Sequence, residues 1–232
     1  MANISQYKSY DQHYVAIDSI IFGFDDESLK LLLIKRKFEP CKDCWSLMGG
    51  FVAENESLDQ AAYRILEDLT GLRDVFLEQL YTYGEVKRDL DARVISVAYY
   101  ALININKYDE ELGRKHGAQW FSIDDIPSLI FDHDEMVAKA MRRLKRKTII
   151  QPIGFELLPE KFTLPQLQRL YEVIHQQKLD KRNFRKKILS MEVLTQLDEK
   201  DKVSSKRGAY LYKFDKEKYD YLISNGSFFV LK

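Results

Sequence analysis

Apolar and polar positions first alternate along this chain as they do in strands. DSIIFGF (Asp18 to Phe24) and LKLLLIKRK (Leu29 to Lys37) are β-type runs flanking the polar turn Asp25-Asp26-Glu27-Ser28. FLEQLYTYGEV (Phe76 to Val86) and RVISVAYYALIN (Arg93 to Asn104) form a later pair, joined by the charged KRDLDA, and AQWFSI adds a short strand. Between the pairs, Leu58, Ala61, Ala62, Ile65, Leu66 and Leu69 recur at helical spacing. A second helix is predicted from about Asp134 to Lys147, its RRLKRK ending placing cations where the helix dipole favours them.

The pattern changes after Ile150. Pro and Gly in TIIQPIGFELLP break the periodicity, which places a domain boundary there and makes GFELLP the candidate hinge. Thr163 and Gln166 form a capping box ahead of Leu164, Leu167, Leu170, Tyr171 and Ile174. Asp180 is a good N-cap for a helix KRNFRKKILSM. VLTQL, the polar loop DEKDKVSSKRG and AYLYKF then read as a hairpin, and two helices followed by a hairpin is the order of a winged helix. The expected organisation is an α+β domain with mixed strands over residues 1–150 and a winged helix over 151–232.

Charge sharpens that division. The chain has no net charge, yet residues 1–150 hold 20 Lys+Arg against 25 Asp+Glu and residues 151–232 hold 16 against 11, so the halves carry −5 and +5. A basic C-terminal part points to a polyanionic partner. No long apolar run and no apolar leader is present, so the expectation is a cytoplasmic protein that does not engage a membrane.

GGFVAENESLDQAAYRILEDLTGL (Gly49 to Leu72) carries the most specific motif. Gly50, Glu56, Arg64 and Gly71-Leu72 keep the spacing of the Nudix box, G-x5-E-x7-R-E-U-x-E-E-x-G-U, with U aliphatic. The resemblance implies a Nudix fold, whose active members hold divalent cations on box carboxylates against a diphosphate. Hydrolysis by that route needs several oxygen ligands on one helical face. Here Ile65, Asp68 and Leu69 stand where the family has its three later glutamates, and Glu67 falls on a variable position. With Ile65 and Leu69 apolar on a shared face, the domain is expected to be no enzyme and to hold neither metal nor cofactor.

The pocket of such a domain lies between the sheet and the loops around the box. Asp18, Arg36, Trp45 and Glu56 are candidate ligand contacts, as are Phe131, Asp132 and His133, which resemble a ligand-side loop of related domains. Plainer roles compete: Asp132 as an N-cap, His133 on the surface, Trp45 in the core, Glu56 and Asp68 solvated. Cys41-x-x-Cys44 lacks the further ligands of a zinc site, and it sits in a loop before Trp45-Ser46-Leu47 where a redox pair would open a helix after a strand, so it reads as a structural loop.

On the helix beginning at Lys181, Phe184 and Ile188 mark the buried side. Arg182, Asn183, Lys186 and Ser190 then project outward, with Lys181, Arg185 and Lys187 flanking them. Arg and Asn suit bidentate contacts to guanine and adenine, and the cations suit phosphate. Ser204, Ser205, Lys206 and Arg207 form the tip of the predicted wing.

The segment from Gly154 to Leu189 is similar to the C-terminal domain of the Nudix-related transcriptional regulators, which join a degenerate Nudix domain to a winged helix. That resemblance, covering nearly the whole chain, implies a repressor binding a palindromic double-stranded DNA operator as a homodimer. It looks nearest to the arabinose-responsive (AraR) branch of the Bacteroides group, which implies an L-arabinose effector and control of sugar catabolism. The alternatives are a sensor of ADP-ribose or another nucleotide governing NAD metabolism, an active Nudix pyrophosphohydrolase, and a protein-interaction module.

Overall fold

In the computed structural model, residues 7, 9–73, 75–105, 117–202, 208–226 and 230 are described. Their N-terminal part is a seven-stranded sheet: β1 (Tyr14–Phe24), β2 (Leu29–Lys35), β3 (Trp45–Ser46), β4 (Met48–Phe51), β5 (Phe76–Tyr83), β6 (Val94–Asn104) and β7 (Ala118–Ser122). The path β3-β2-β1-β6-β5 runs through its centre, with β4 added to β1 and β7 to β2. β1 and β6 pair in parallel over their whole lengths, and the other pairs are antiparallel.

Two helices cover the sheet. α1 (Leu58–Thr70) starts at the N-cap Ser57, whose side chain exchanges hydrogen bonds with Gln60 in a capping box. It ends at Gly71, whose φ of 72° is a left-handed cap that glycine adopts without strain. Strand alternation then sorts the side chains. Ile17, Ile21, Val97, Tyr99 and Ala101 pack with the α1 residues Ala61, Ala62, Ile65 and Leu66, while Ile20, Phe22, Tyr100 and Leu102 pack with Met136, Val137 and Ala140 of α2 (His133–Ile150). Asp18 of β1 stands opposite Ala98, and a hydrogen bond joins it diagonally across the parallel pair to Ser96 of β6.

The C-terminal part has the expected winged-helix order. β8 (Phe162–Thr163) leads into α3 (Leu164–His175), α4 (Lys181–Ser190), β9 (Leu194–Asp201) and β10 (Ala209–Phe214), and β8-β10-β9 form a three-stranded sheet. Both halves of the Thr163 capping box are present, and the Asp180 side chain caps α4. α5 (Lys216–Ser224) follows, with an N-cap at Asp215.

Two readings are corrected, and four elements are new. DEKD continues β9 and is not part of the loop, because Ala209 and Tyr210 extend the antiparallel ladder back to Asp201 and Lys200. α5 and the short strands β3, β4 and β8 had no counterpart in the sequence pattern. GFELLP is no exposed linker: Pro152–Leu157 is a 3-10 helix in which Gly154, Phe155 and Leu157 are buried, and the Phe155 ring stacks on Phe214 at 4.5 Å. One continuous apolar cluster runs from Phe22 and Leu31 through Phe155 and Leu157 to Leu167, Leu170 and Ile188.

Candidate functional site

A pocket of about 340 Å³ opens where β1 and β4 meet the loops after β2, β5 and β7. Asp18 forms its floor. β4 runs beside β1 with Gly49 opposite Asp18, and a Cβ at Gly49 would come within 2.6 Å of the carboxylate. Only glycine lets the strand approach so closely. The Ser96 hydroxyl donates to Asp18 at 2.5 Å.

Three further ionisable side chains meet there. Arg88, with 3% of its side chain exposed, donates to both Asp132 carboxylate oxygens at 2.9 and 2.7 Å and lies 3.5 Å from Asp18. Burial opposes its charge, but the Asp132 hydrogen bonds and the Asp18 and Asp132 charges raise its pKa. The buried His133 accepts the Leu47 main-chain N–H on Nδ1 at 3.1 Å. That assigns the ring proton to Nε2, 3.6 Å from Asp18. Burial holds His133 below the usual imidazole value despite the opposing pull of Asp18 and Asp132.

The rim is cationic and aromatic. The Arg36 guanidinium lies 4.1 Å from the Phe38 ring centre and 5.5 Å from that of Phe131, and Lys35 and Lys37 line the same wall. Phe131 holds a φ of 53° in the turn before α2, a backbone state uncommon for a phenylalanine. Asp18, Arg36, Phe131 and His133 thus line one pocket, and Asp132 reaches it through Arg88. Asp132 occupies the N-cap position but makes no side-chain capping bond; both its carboxylate oxygens accept from Arg88 instead. His133 is not a surface residue.

Two candidates lie elsewhere. Trp45 packs edge-on against Phe121 at 4.7 Å and is absent from the pocket wall. Glu56 accepts two hydrogen bonds from Arg64, at 2.8 and 2.5 Å, and one from the Ala53 main chain. Those bonds, the Arg64 ones first, hold its pKa down at about 2. Sequence reasoning missed Arg88. It stands in the charged connector KRDLDA, and its only sequence signal is a cation of opposite sign to Asp18 and Asp132.

The box does not fit the divalent cations of the Nudix fold. Glu56 is closed by Arg64, Asp68 is 64% exposed, Ile65 is buried, and Leu69 lines the pocket where a third carboxylate would stand. Among the described residues no three His, Cys, Asp or Glu side chains cluster as metal ligands.

A second surface lies on α4. Phe184 and Ile188 are buried, whereas Lys181, Arg182, Asn183, Arg185, Lys186 and Lys187 are all exposed. None of the five cations forms an ion pair among the described residues, although Lys161, Lys178, Lys213, Lys216 and Lys218 around them do. Ser204, Ser205, Lys206 and Arg207 lie outside the described residues.

Residues 12–144 match the NUDIX domain family, and residues 154–214 match the NrtR DNA-binding winged helix domain. The chain is 34% identical over 226 residues to the ADPR responsive transcriptional repressor NtrR of Acinetobacter baylyi, covering 95% of this chain and 90% of that one. It is similar to the crystal structure of Shewanella oneidensis NrtR with a 27mer DNA, at a TM-score of 0.79 and 30% identity over 86% of this chain and 93% of that one. The NUDIX domain of the same Shewanella oneidensis protein with ADP ribose aligns at a TM-score of 0.50 and 28% identity, over 61% of this chain and 99% of that one. These findings overturn the expected L-arabinose effector and the sugar-catabolic role. A degenerate box and a winged helix define the regulators as a whole, so those motifs could not choose a branch.

Proposed function

The chain belongs to the family that joins a Nudix domain to an NrtR-type winged helix, and on that premise we propose that it is an ADP-ribose-responsive transcriptional repressor of NAD metabolism. The observation that carries this reading is the wall of the pocket: a guanidinium against two phenyl rings, flanked by two lysines, above a buried carboxylate. Rings and guanidinium suit the flat face of a base, the cations suit a diphosphate, and Asp18 suits ribose hydroxyls. A volume near 340 Å³ falls within the ordinary range of ligand sites.

Sensing is assigned to residues 1–150 and DNA reading to 151–232, with Arg182 and Asn183 on base edges and Lys181, Arg185, Lys186 and Lys187 on phosphates. Lys206 and Arg207, with Ser204 and Ser205, are assigned to the wing contact. The repressor acts as a homodimer on a palindromic operator, since half-site spacing converts a small rotation of the reading helices into loss of fit. Effector must prefer the released arrangement, and a ~100-fold preference corresponds to about 2.7 kcal/mol of coupling. The box is assigned no hydrolytic role, because Arg64 occupies Glu56 and Leu69 presents an apolar side chain.

The test is a gel-shift titration on DNA selected from a random pool by the full chain. ADP-ribose is expected to release the bound DNA, and release unaffected by ADP-ribose would overturn the effector assignment. ADP-ribose incubated with Mg²⁺ or Mn²⁺ should remain intact; steady AMP formation would overturn the non-catalytic reading.

A further inference from the structure

Cys41 and Cys44 are the chain's two cysteines, and the functional reading leaves them unused. Both are free thiols, Cys44 exposed and Cys41 half-buried. The Cys44 main-chain N–H donates to the Cys41 carbonyl at 3.2 Å, which closes a four-residue turn. Such a turn holds its first and fourth Cα atoms within about 7 Å, and a disulfide spans about 4.4–6.8 Å. The pair is therefore within bridging range, needing side-chain rotation and a small tightening of the turn.

That turn is fastened to the pocket wall. The Arg36 N–H donates to the Cys44 carbonyl at 3.0 Å, and the Asp43 N–H donates to the Arg36 carbonyl at 2.8 Å. Cys41 and Asp43 already hold φ of 63° and 64°, left-handed for non-glycine residues. Bridging would draw the two Cβ atoms to about 3.8 Å and shift the Cys44 carbonyl, and Arg36 with it.

We propose that Cys41 and Cys44 form a thiol–disulfide site that closes under oxidising conditions and weakens effector binding by moving Arg36 relative to Phe38 and Phe131. The oxidant is a low-molecular-weight disulfide. The Cys44 thiolate attacks one of its sulfurs, forming a mixed disulfide and expelling one thiolate. The Cys41 thiolate then attacks the Cys44 sulfur and expels the second. The chain gives up two protons and two electrons, and the oxidant's S–S bond becomes two thiols.

The effect on affinity rests on the ADP-ribose reading; the bridge does not. The full chain is equilibrated in buffers of graded oxidised and reduced glutathione, quenched, alkylated and weighed intact, then titrated calorimetrically with ADP-ribose. The expected result is loss of both thiols with no retained glutathione and ADP-ribose binding at least about fivefold weaker, the lower end of ordinary coupling between sites. Dithiothreitol should restore the affinity, and the Cys44→Ser variant should not respond. A persistent glutathione adduct, chain-to-chain disulfides or equal affinity in both states would overturn the proposal. Failure of the reduced chain to bind ADP-ribose would instead overturn the functional reading, and the mass measurement, made without nucleotide, would still decide the bridge.

Discussion

Replacing Arg88 by methionine keeps most of the side-chain volume and removes the charge shared by two acids. The Arg88 side chain is 3% exposed, with Asp18 at 12% and Asp132 at 20%. Removing one partner of a buried pair costs about 3–5 kcal/mol; the part-exposed Asp132 puts this case near the lower figure, about 3 kcal/mol. With a urea m-value of about 3 kcal/mol/M, the midpoint should fall by roughly 1 M. A pH signature accompanies the loss. His133 has a depressed folded pKa in the parent, chiefly through burial, so the unfolded chain binds more protons as pH falls through about 6.5 and the parent loses stability there. The Arg88 charge contributes to that depression, so without it Asp18 and Asp132 draw the imidazole pKa upward and the variant loses less. The gap between parent and variant should therefore narrow from pH 7.5 to pH 5.5. Adding Asp132→Asn should be non-additive by about 1–3 kcal/mol. Urea titrations read by fluorescence test all three points; a gap under 1 kcal/mol, or one that widens on acidification, would refute the buried network as described.

Arg182→Ala and Asn183→Ala should each weaken specific operator binding by about 1–3 kcal/mol in a gel shift, whereas Lys206→Ala should chiefly lower the salt slope; unchanged affinity in all three would remove α4 as the reading face. Arg36→Ala should weaken ADP-ribose binding by about tenfold or more in calorimetry, since it removes a cation held against two rings. Glu56→Gln should leave that affinity within about twofold, because Glu56 bonds Arg64 and Ala53 and not the pocket. Thr148→Val should leave ADP-ribose binding intact and reduce its effect on DNA release, read as the ratio of operator affinities with and without nucleotide.

What was legible in the sequence followed local rules. The Thr163 capping box and the Asp180 cap are short patterns whose partners sit three residues away. Asp18 was visible as an acid inside an apolar strand. What stayed hidden depended on distant pairing. Gly49 faces Asp18 only because β4 adds to β1, and Ser96 reaches Asp18 only because β1 and β6 run parallel. Arg88 looked like any charge in a loop until 44 residues of separation closed on Asp132. Trp45 and Glu56 had suitable chemistry, but Phe121 and Arg64 claim them. The choice between the L-arabinose and ADP-ribose readings was beyond reach for a related reason: rings, cations and a carboxylate converge on the pocket from four separate segments, and no single motif contains them.

The Pro152–Leu157 segment, anchored by the buried Gly154, Phe155 and Leu157, also changes how the two halves can communicate. A loose hinge would let the winged helix swing freely, but here the apolar cluster passes without a break from the sheet into α3, and dense cores shift between discrete packings rather than bending. α2 begins at Asp132 and His133, in contact with the pocket network, and runs 18 residues, about 27 Å. Near its far end Lys145 bonds Gln176 at 2.7 Å and Thr148 meets His175 at 3.1 Å, both partners at the end of α3. From there the Leu179 main chain bonds Glu172 and Gln168, which fixes the turn into α4. A ligand that moves the start of α2 would therefore act on α4 through a packed element, and the Thr148–His175 contact is one link of that path that lies apart from the pocket and from the exposed face of α4.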